Sequence, residues 1–142
     1  MLIKQLSLFV ENKPGSLYPI CKVLQDNDLS IRTLSLADTQ QFGILRLLVK
    51  EWEKAKDILE KAGFIVKVTD VVALPVVDRP GGLAELLKVI DKYQLSVEYM
   101  YAFTFGHEET AVMVFRFDDP EAALDIFKKE GIGAIEAFNL FK

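Results

Sequence analysis

One cysteine, one histidine and one tryptophan are all that the 142-residue chain holds of those types, and each scarcity excludes something. A single Cys21 closes no intrachain disulfide, which fits a reducing cytoplasm. On an apolar helix face it reads as a buried small hydrophobe, and catalysis would need a basic partner that the sequence does not suggest. A single His107, at a turn beside Glu108 and Glu109, has no second His or Cys nearby. It reads as an exposed turn residue, and no metal site is expected. Basic residues are not in excess. The net charge of −4 argues against a general nucleic-acid or anionic-membrane binder. No apolar run approaches the ~18 residues that a spanning helix requires. The N-terminus lacks a basic segment, and Lys4, Gln5 and Glu11 interrupt its apolar residues, so no signal peptide is read. There is no clustered nucleophile and base, no metal-ligand spacing and no Gly-rich phosphate fingerprint. No catalytic residue and no cofactor are therefore expected, and the chain reads as a non-enzyme.

What the chain does contain, it contains twice. Lys13-Pro14-Gly15-Ser16-Leu17 falls on Arg79-Pro80-Gly81-Gly82-Leu83, Lys22-Val23 on Lys88-Val89, and Leu29-Ser30-Ile31 on Leu95-Ser96-Val97. Further on, Ala55-Lys56-Asp57-Ile58-Leu59-Glu60-Lys61-Ala62-Gly63 falls on Ala123-Leu124-Asp125-Ile126-Phe127-Lys128-Lys129-Glu130-Gly131. The second copy has by then gained two residues, near Gly106-His107-Glu108-Glu109, where a hairpin absorbs them cheaply. Such self-similarity marks a duplicated unit, with one domain at residues 1–70 and another at 71–142. Hydrophobic residues make up 51% and the charges are mixed in sign, as in a globular protein. A unit of ~70 residues has a marginal core alone. The halves are therefore expected to share buried surface about a pseudo-twofold axis, with a ligand site at the seam.

Each half reads strand, helix, strand, strand, helix, strand. Residues 2–10 are rich in Leu, Ile, Phe and Val, and Pro14-Gly15 ends that strand. Leu17, Ile20, Cys21 and Leu24 recur at helical spacing, as do Leu83, Leu86, Leu87 and Ile90 in the second half. Residues 29–37 and 43–50 read as strands around Gln40-Gln41. Trp52, Ala55, Ile58, Leu59 and Ala62 form a second helical stripe that Gly63 closes. Residues 64–69 form a strand, and the next begins almost at once at Val71. In the second half 95–105 and 110–117 are strands. Asp119 caps a helix that starts at Pro120, carries Ala123, Ile126 and Phe127 inward and ends at Gly131. Residues 132–141 close the chain as a strand. This order is the ferredoxin-like split motif, an α+β fold with antiparallel sheets and helices on one face. Pro75 sits in a strand that should be central, so a bulge or a late start is expected there.

A strand, then Asn12-Lys13-Pro14-Gly15-Ser16-Leu17 or Asp78-Arg79-Pro80-Gly81-Gly82-Leu83, then an amphipathic helix, resembles the ACT domain, a small βαββαβ regulatory module that binds amino acids. The resemblance covers nearly the whole chain, as two ACT domains in tandem, and is to the stand-alone members. The loops have a physical use of their own. Glycine permits close backbone approach, and the helix that follows presents unpaired N–H groups, which suit a carboxylate. Asn12 and Asp78 are placed to accept hydrogen bonds from an α-ammonium group. The resemblance implies a ligand between one domain's loop and the second strand of the other, which points to Thr33, Leu34 and Ser35 and to Tyr99, Met100 and Tyr101. Tyr99, Tyr101, Phe103 and Phe105 alternate along one strand, as sheet packing or as a pocket wall. The plainer reading of the loops is a tight strand-to-helix turn.

The implied function is non-catalytic regulation by a free amino acid. The receiver of the signal would be a metabolic enzyme or transport system acting in trans, with a homo-oligomer as another expected partner. The alternative is an interaction subunit whose ACT folds mediate assembly without an effector. An RNA-binding sheet would need a basic surface and the aromatic pattern that goes with it, and the sequence has neither.

Overall fold

A computed structural model describes residues 1–104 and 109–142; Phe105 and the expected tip at Gly106, His107 and Glu108 lie outside the described residues. The chain divides into two compact units. The N-terminal unit is Lys4–Thr69 with Phe141, and the C-terminal unit is Asp70–Leu140 with Met1–Ile3 and Lys142.

The first repeat runs β1 (Ile3–Glu11), α1 (Tyr18–Asp26), β2 (Ile31–Thr39), β3 (Phe42–Val49) and α2 (Trp52–Lys61). Its strands lie in the order β2-β3-β1, all antiparallel. Register explains the core. Leu6 faces Leu47 and Leu8 faces Leu45, so every second residue shares one face of the sheet. That face joins Ile20 and Leu24 of α1 and Ala55 and Leu59 of α2 in one cluster, which places both helices on the same side. Cys21 departs from expectation, because it is exposed. The buried arc of α1 is narrower than its apolar stripe. Only Ile20 and Leu24 are buried, and Leu17 precedes the helix.

The expected strand at 64–69 and the one beginning at Val71 are a single strand, β4 (Val66–Val77). Then follow α3 (Gly82–Lys92), β5 (Val97–Thr104), β6 (Thr110–Phe117), α4 (Pro120–Lys129) and α5 (Ala137–Leu140). The strand order is β4-β6-β5. Val72, Leu74 and Val76 face Phe115, Met113 and Ala111, and all join Leu86, Ile90, Ala123 and Phe127 in the second core. Phe117 stacks on Phe115 at 5.3 Å and meets Phe127 at 5.7 Å. The Asp119 side chain accepts from the Ala122 N–H at 3.1 Å and so caps α4, with Pro120 in its first turn. The duplication extends to the backbone. Gly15 and Gly81 have φ of 86° and 89°, Asp28 and Gln94 have 57° and 51°, and β2 and β5 each slip register at one place, between Ile31 and Thr33 and between Val97 and Tyr99.

Two expectations about the second repeat fail together. Residues 132–141 form no strand; they run as irregular chain into α5, whose Leu140 is buried. Pro75 causes neither a bulge nor a late start, since it pairs in regular register with Val112. The carbonyl of Ala73 accepts from the Ile135 N–H at 2.7 Å, so Ala73 turns its polar groups away from β6. Pro75, two residues on, turns the same way. Its missing N–H therefore costs the β4–β6 ladder nothing, and it denies the terminal segment the next donor it would need to continue as a strand.

Candidate functional site

The loop after β1 is open. Its Gly15 takes a left-handed conformation that a side chain would resist, and α1 does not begin until Tyr18. The backbone N–H groups of Lys13 and Asn12 are used, on Glu11 and Gln41, and those of Ile20 and Cys21 on Leu17. Pro14-Gly15 form a turn that tilts the Ser16 N–H back toward the Lys13 carbonyl without reaching ordinary hydrogen-bond geometry, and among the described residues the N–H groups of Gly15, Leu17 and Tyr18 find no acceptor. Donors gathered in this way at the positive end of a helix form an anion-binding arrangement. A cavity of ≈ 300 Å³ opens beside them, lined by Phe9, Val10, Glu11, Lys13, Gly15, Ser16, Pro19 and Phe64.

The corresponding loop after β4 is closed. Helix α3 begins at Gly82, two residues earlier in the repeat than α1. The Gly82 N–H donates to the Arg79 carbonyl at 3.0 Å, and the Arg79 N–H to the Val77 carbonyl at 3.0 Å. A Cβ at Gly82 would stand 1.9 Å from the Val77 oxygen, so only glycine fits. Donors remain at Gly81, Leu83 and Ala84, but that of Gly82 is taken. The cavity here is ≈ 250 Å³, lined by Val77, Arg79, Pro80, Gly81, Gly82 and Glu85, with no aromatic wall.

The two residues expected to meet an ammonium differ as well. The Asn12 side-chain amide donates to the Gln40 carbonyl at 3.1 Å. It ties the loop to the β2–β3 turn, where Gln40 has φ 59°, and only its oxygen remains as an acceptor. The Asp78 backbone N–H donates to the Glu109 carbonyl at 2.7 Å, and among the described residues its carboxylate has no partner. Glu11 pairs with Lys13 at 2.9 Å, both largely exposed, a pair that contributes little to stability.

Thr33, Leu34 and Ser35 lie on β2 opposite Leu48, Leu47 and Arg46. The loop follows Glu11, at the other end of that register. Within its own unit β2 is separated from β1 by β3, and none of the three residues lines the loop cavity. Likewise Tyr99, Met100 and Tyr101 lie on β5 opposite Arg116, Phe115 and Val114, away from the loop at 78–83. Sequence reasoning missed Phe9, Val10, Glu11, Pro19 and Phe64. Those of β1 and Pro19 flank the loop in sequence and were within reach; Phe64 arrives from beyond α2, and no local signal marks it.

A larger cavity, ≈ 570 Å³, lies along Leu124, Asp125, Lys128, Gly131, Ile132, Gly133, Ala134, Glu136 and Met1. Along it the N–H groups of Gly133, Ala134 and Glu136 also find no acceptor among the described residues, but the helix that follows them, α5, is only four residues long and gives them little dipole to add to. The loop after β1, at the start of a nine-residue helix, is therefore the better candidate despite its smaller volume. Among the described residues no three His, Cys, Asp or Glu side chains are grouped to hold a metal ion, and no helix is long and apolar enough to cross a membrane.

Two βαββαβ-like repeats, antiparallel within each sheet, with helices on one face and a Pro-Gly loop opening each, define a protein of tandem ACT-type domains. The chain matches the ACT domain pair family over residues 1–142, and it belongs to that family. No curated protein sequence matches it. Among solved structures it is similar to protein BT0572 from Bacteroides thetaiotaomicron, at 33% identity and a TM-score of 0.92, over 100% of this chain and 97% of that one. The regulatory subunits of aspartate kinase from Thermus thermophilus and Thermus flavus share the fold at 15% identity each. Their TM-scores are 0.64 and 0.61, over 90% and 89% of this chain and 93% and 90% of theirs.

Proposed function

We propose that the chain is a non-catalytic regulatory module that binds a free amino acid at the loop after β1. The observation that carries this reading is the set of free N–H groups at Gly15, Leu17 and Tyr18 at the start of α1, which suits the ligand's α-carboxylate. The Asn12 side-chain oxygen is the acceptor at hand for its ammonium. The loop after β4, with its Gly82 N–H bonded to Arg79, is the weaker site, so one ligand per chain is expected. The aspartate kinase regulatory subunits of the same fold are consistent with control of a metabolic enzyme in trans. The ligand acts only to the extent that it binds one arrangement of the protein or its complex better than another.

A thermal-shift screen against the twenty amino acids, followed by calorimetry with the best one and its amide, tests the proposal. A ligand at about 100 times its dissociation constant adds about 2.7 kcal/mol. Loss of the carboxylate charge removes charge-assisted hydrogen bonds of about 1.5–3 kcal/mol, so the amide binds at least ~10-fold more weakly. Equal affinity for acid and amide, or no shift with any amino acid, rules the loop out and leaves an assembly role without an effector.

A further inference from the structure

We infer that the loop after β1 selects an amino acid with an uncharged, apolar side chain of leucine or phenylalanine size. This rests on the reading of that loop as the amino-acid site, and it is carried by the walls of the cavity rather than by the backbone donors. Val10, Pro19 and Phe64 supply apolar surface from β1, α1 and the segment after α2. Phe64 is only partly buried against the core, so a ligand side chain would take more of that ring out of water. The two charged groups of the lining, Glu11 and Lys13, already pair with each other at 2.9 Å. They present no net charge to a ligand's side chain. A carboxylate or ammonium side chain would lose hydration against the apolar wall and meet no unopposed partner. A leucine or phenylalanine side chain gains by burial, and glycine gains nothing from the wall.

The volume agrees. At ≈ 300 Å³ the cavity stands at the small end of ligand pockets, enough for one free amino acid rather than a nucleotide or a peptide. The cavity of the second loop lacks aromatic residues, so the preference belongs to the first loop.

Calorimetry on the full chain with L-leucine, L-phenylalanine, glycine, L-aspartate and L-lysine tests this, repeated on Phe64→Ala and Pro19→Ser. Leucine or phenylalanine should bind about tenfold or more tightly than glycine, aspartate and lysine, the ratio that burial of such a side chain provides. Phe64→Ala should bring the preferred ligand several-fold closer to glycine while the far-ultraviolet spectrum is unchanged. Pro19→Ser, at an exposed lining residue, probes the same cavity should the first variant fold poorly. Tightest binding of aspartate, lysine or glycine overturns the selectivity and leaves the amino-acid site standing. An apolar preference that survives both substitutions intact overturns it too, because the preference then arises elsewhere. No binding by any of the five sinks the selectivity, and a silent screen against all twenty sinks the site with it.

Discussion

Replacing Gly82 with alanine should destabilise the protein by about 2–3 kcal/mol, although alanine is the better helix former. The added Cβ would sit 1.9 Å from the Val77 carbonyl oxygen and 2.9 Å from its carbon. Both are backbone atoms, so no side-chain rotation relieves the overlap. The loop must retreat by about an ångström, and the bonds from Gly82 to Arg79 and from Arg79 to Val77, both 3.0 Å, go with it. Overpacking of this kind costs about 1–3 kcal/mol, and each strained hydrogen bond adds up to about 1 kcal/mol. Against this stands a helix-propensity gain of at most about 1 kcal/mol. The melting temperature should fall by roughly 5–15 °C for a chain of this size. Gly133→Ala is the control: it has no neighbour within 4 Å and no left-handed φ, so it should stay within about 0.5 kcal/mol of the parent. Urea denaturation of the three proteins reads both values. A Gly82→Ala protein as stable as Gly133→Ala would show that the loop after β4 is not held against Val77, and the argument for a closed second loop would go with it.

Two further outcomes follow from particular contacts. Asn12→Ala removes the bond from the loop to the Gln40 carbonyl. It should cost about 1 kcal/mol or less at this exposed site and speed hydrogen exchange in the β2–β3 turn; unchanged exchange there would show that the bond does not hold the turn. Glu130 accepts from Tyr93 Oη and from Lys92 Nζ, the latter at 3.1 Å, and these bonds hold its carboxyl below the ordinary carboxylate value, chiefly through Tyr93. A depressed carboxylate contributes stability above its unfolded pKa, about 4.3, and loses it as pH falls through the lower folded value. The same contact raises Tyr93 and Lys92, both chiefly through the hydrogen bond with Glu130, so their contribution is present below about pH 10 and lost as pH rises through the raised values. Tyr93→Phe should flatten both ends of the stability profile, and melting curves from pH 2 to 12 that superpose with the parent's would refute the linkage.

Most of the fold was legible because the signals were local and doubled. The four helices α1 to α4, the Asp119-Pro120 start of α4 and the Gln40-Gln41 turn each depend on a few neighbouring residues, and the structure has all of them near where they were read. The misreadings have a common physical form: they depend on what lies beside a strand or helix, which periodicity does not report. Apolar spacing put Cys21 on the face of α1 but not how wide an arc the sheet covers. Composition made 132–141 a strand, while its fate depended on Pro75, far away in sequence, which withholds a donor on the side where Ile135 meets Ala73.

The candidate site shows the same limit more sharply. Both loops read alike, and at Gly15 and Gly81 they are alike in backbone, with φ of 86° and 89°. One position separates them. Gly82 lets the chain close over the Val77 carbonyl, start α3 at once and direct its own N–H to Arg79. Ser16 holds the matching position in the first repeat, and its Cβ forbids that approach. The helix there waits until Tyr18, and the donors of Gly15, Leu17 and Tyr18 stay free. A glycine, usually taken as the residue that opens a backbone to a ligand, here spends that freedom on an internal contact, and the serine leaves the other loop open.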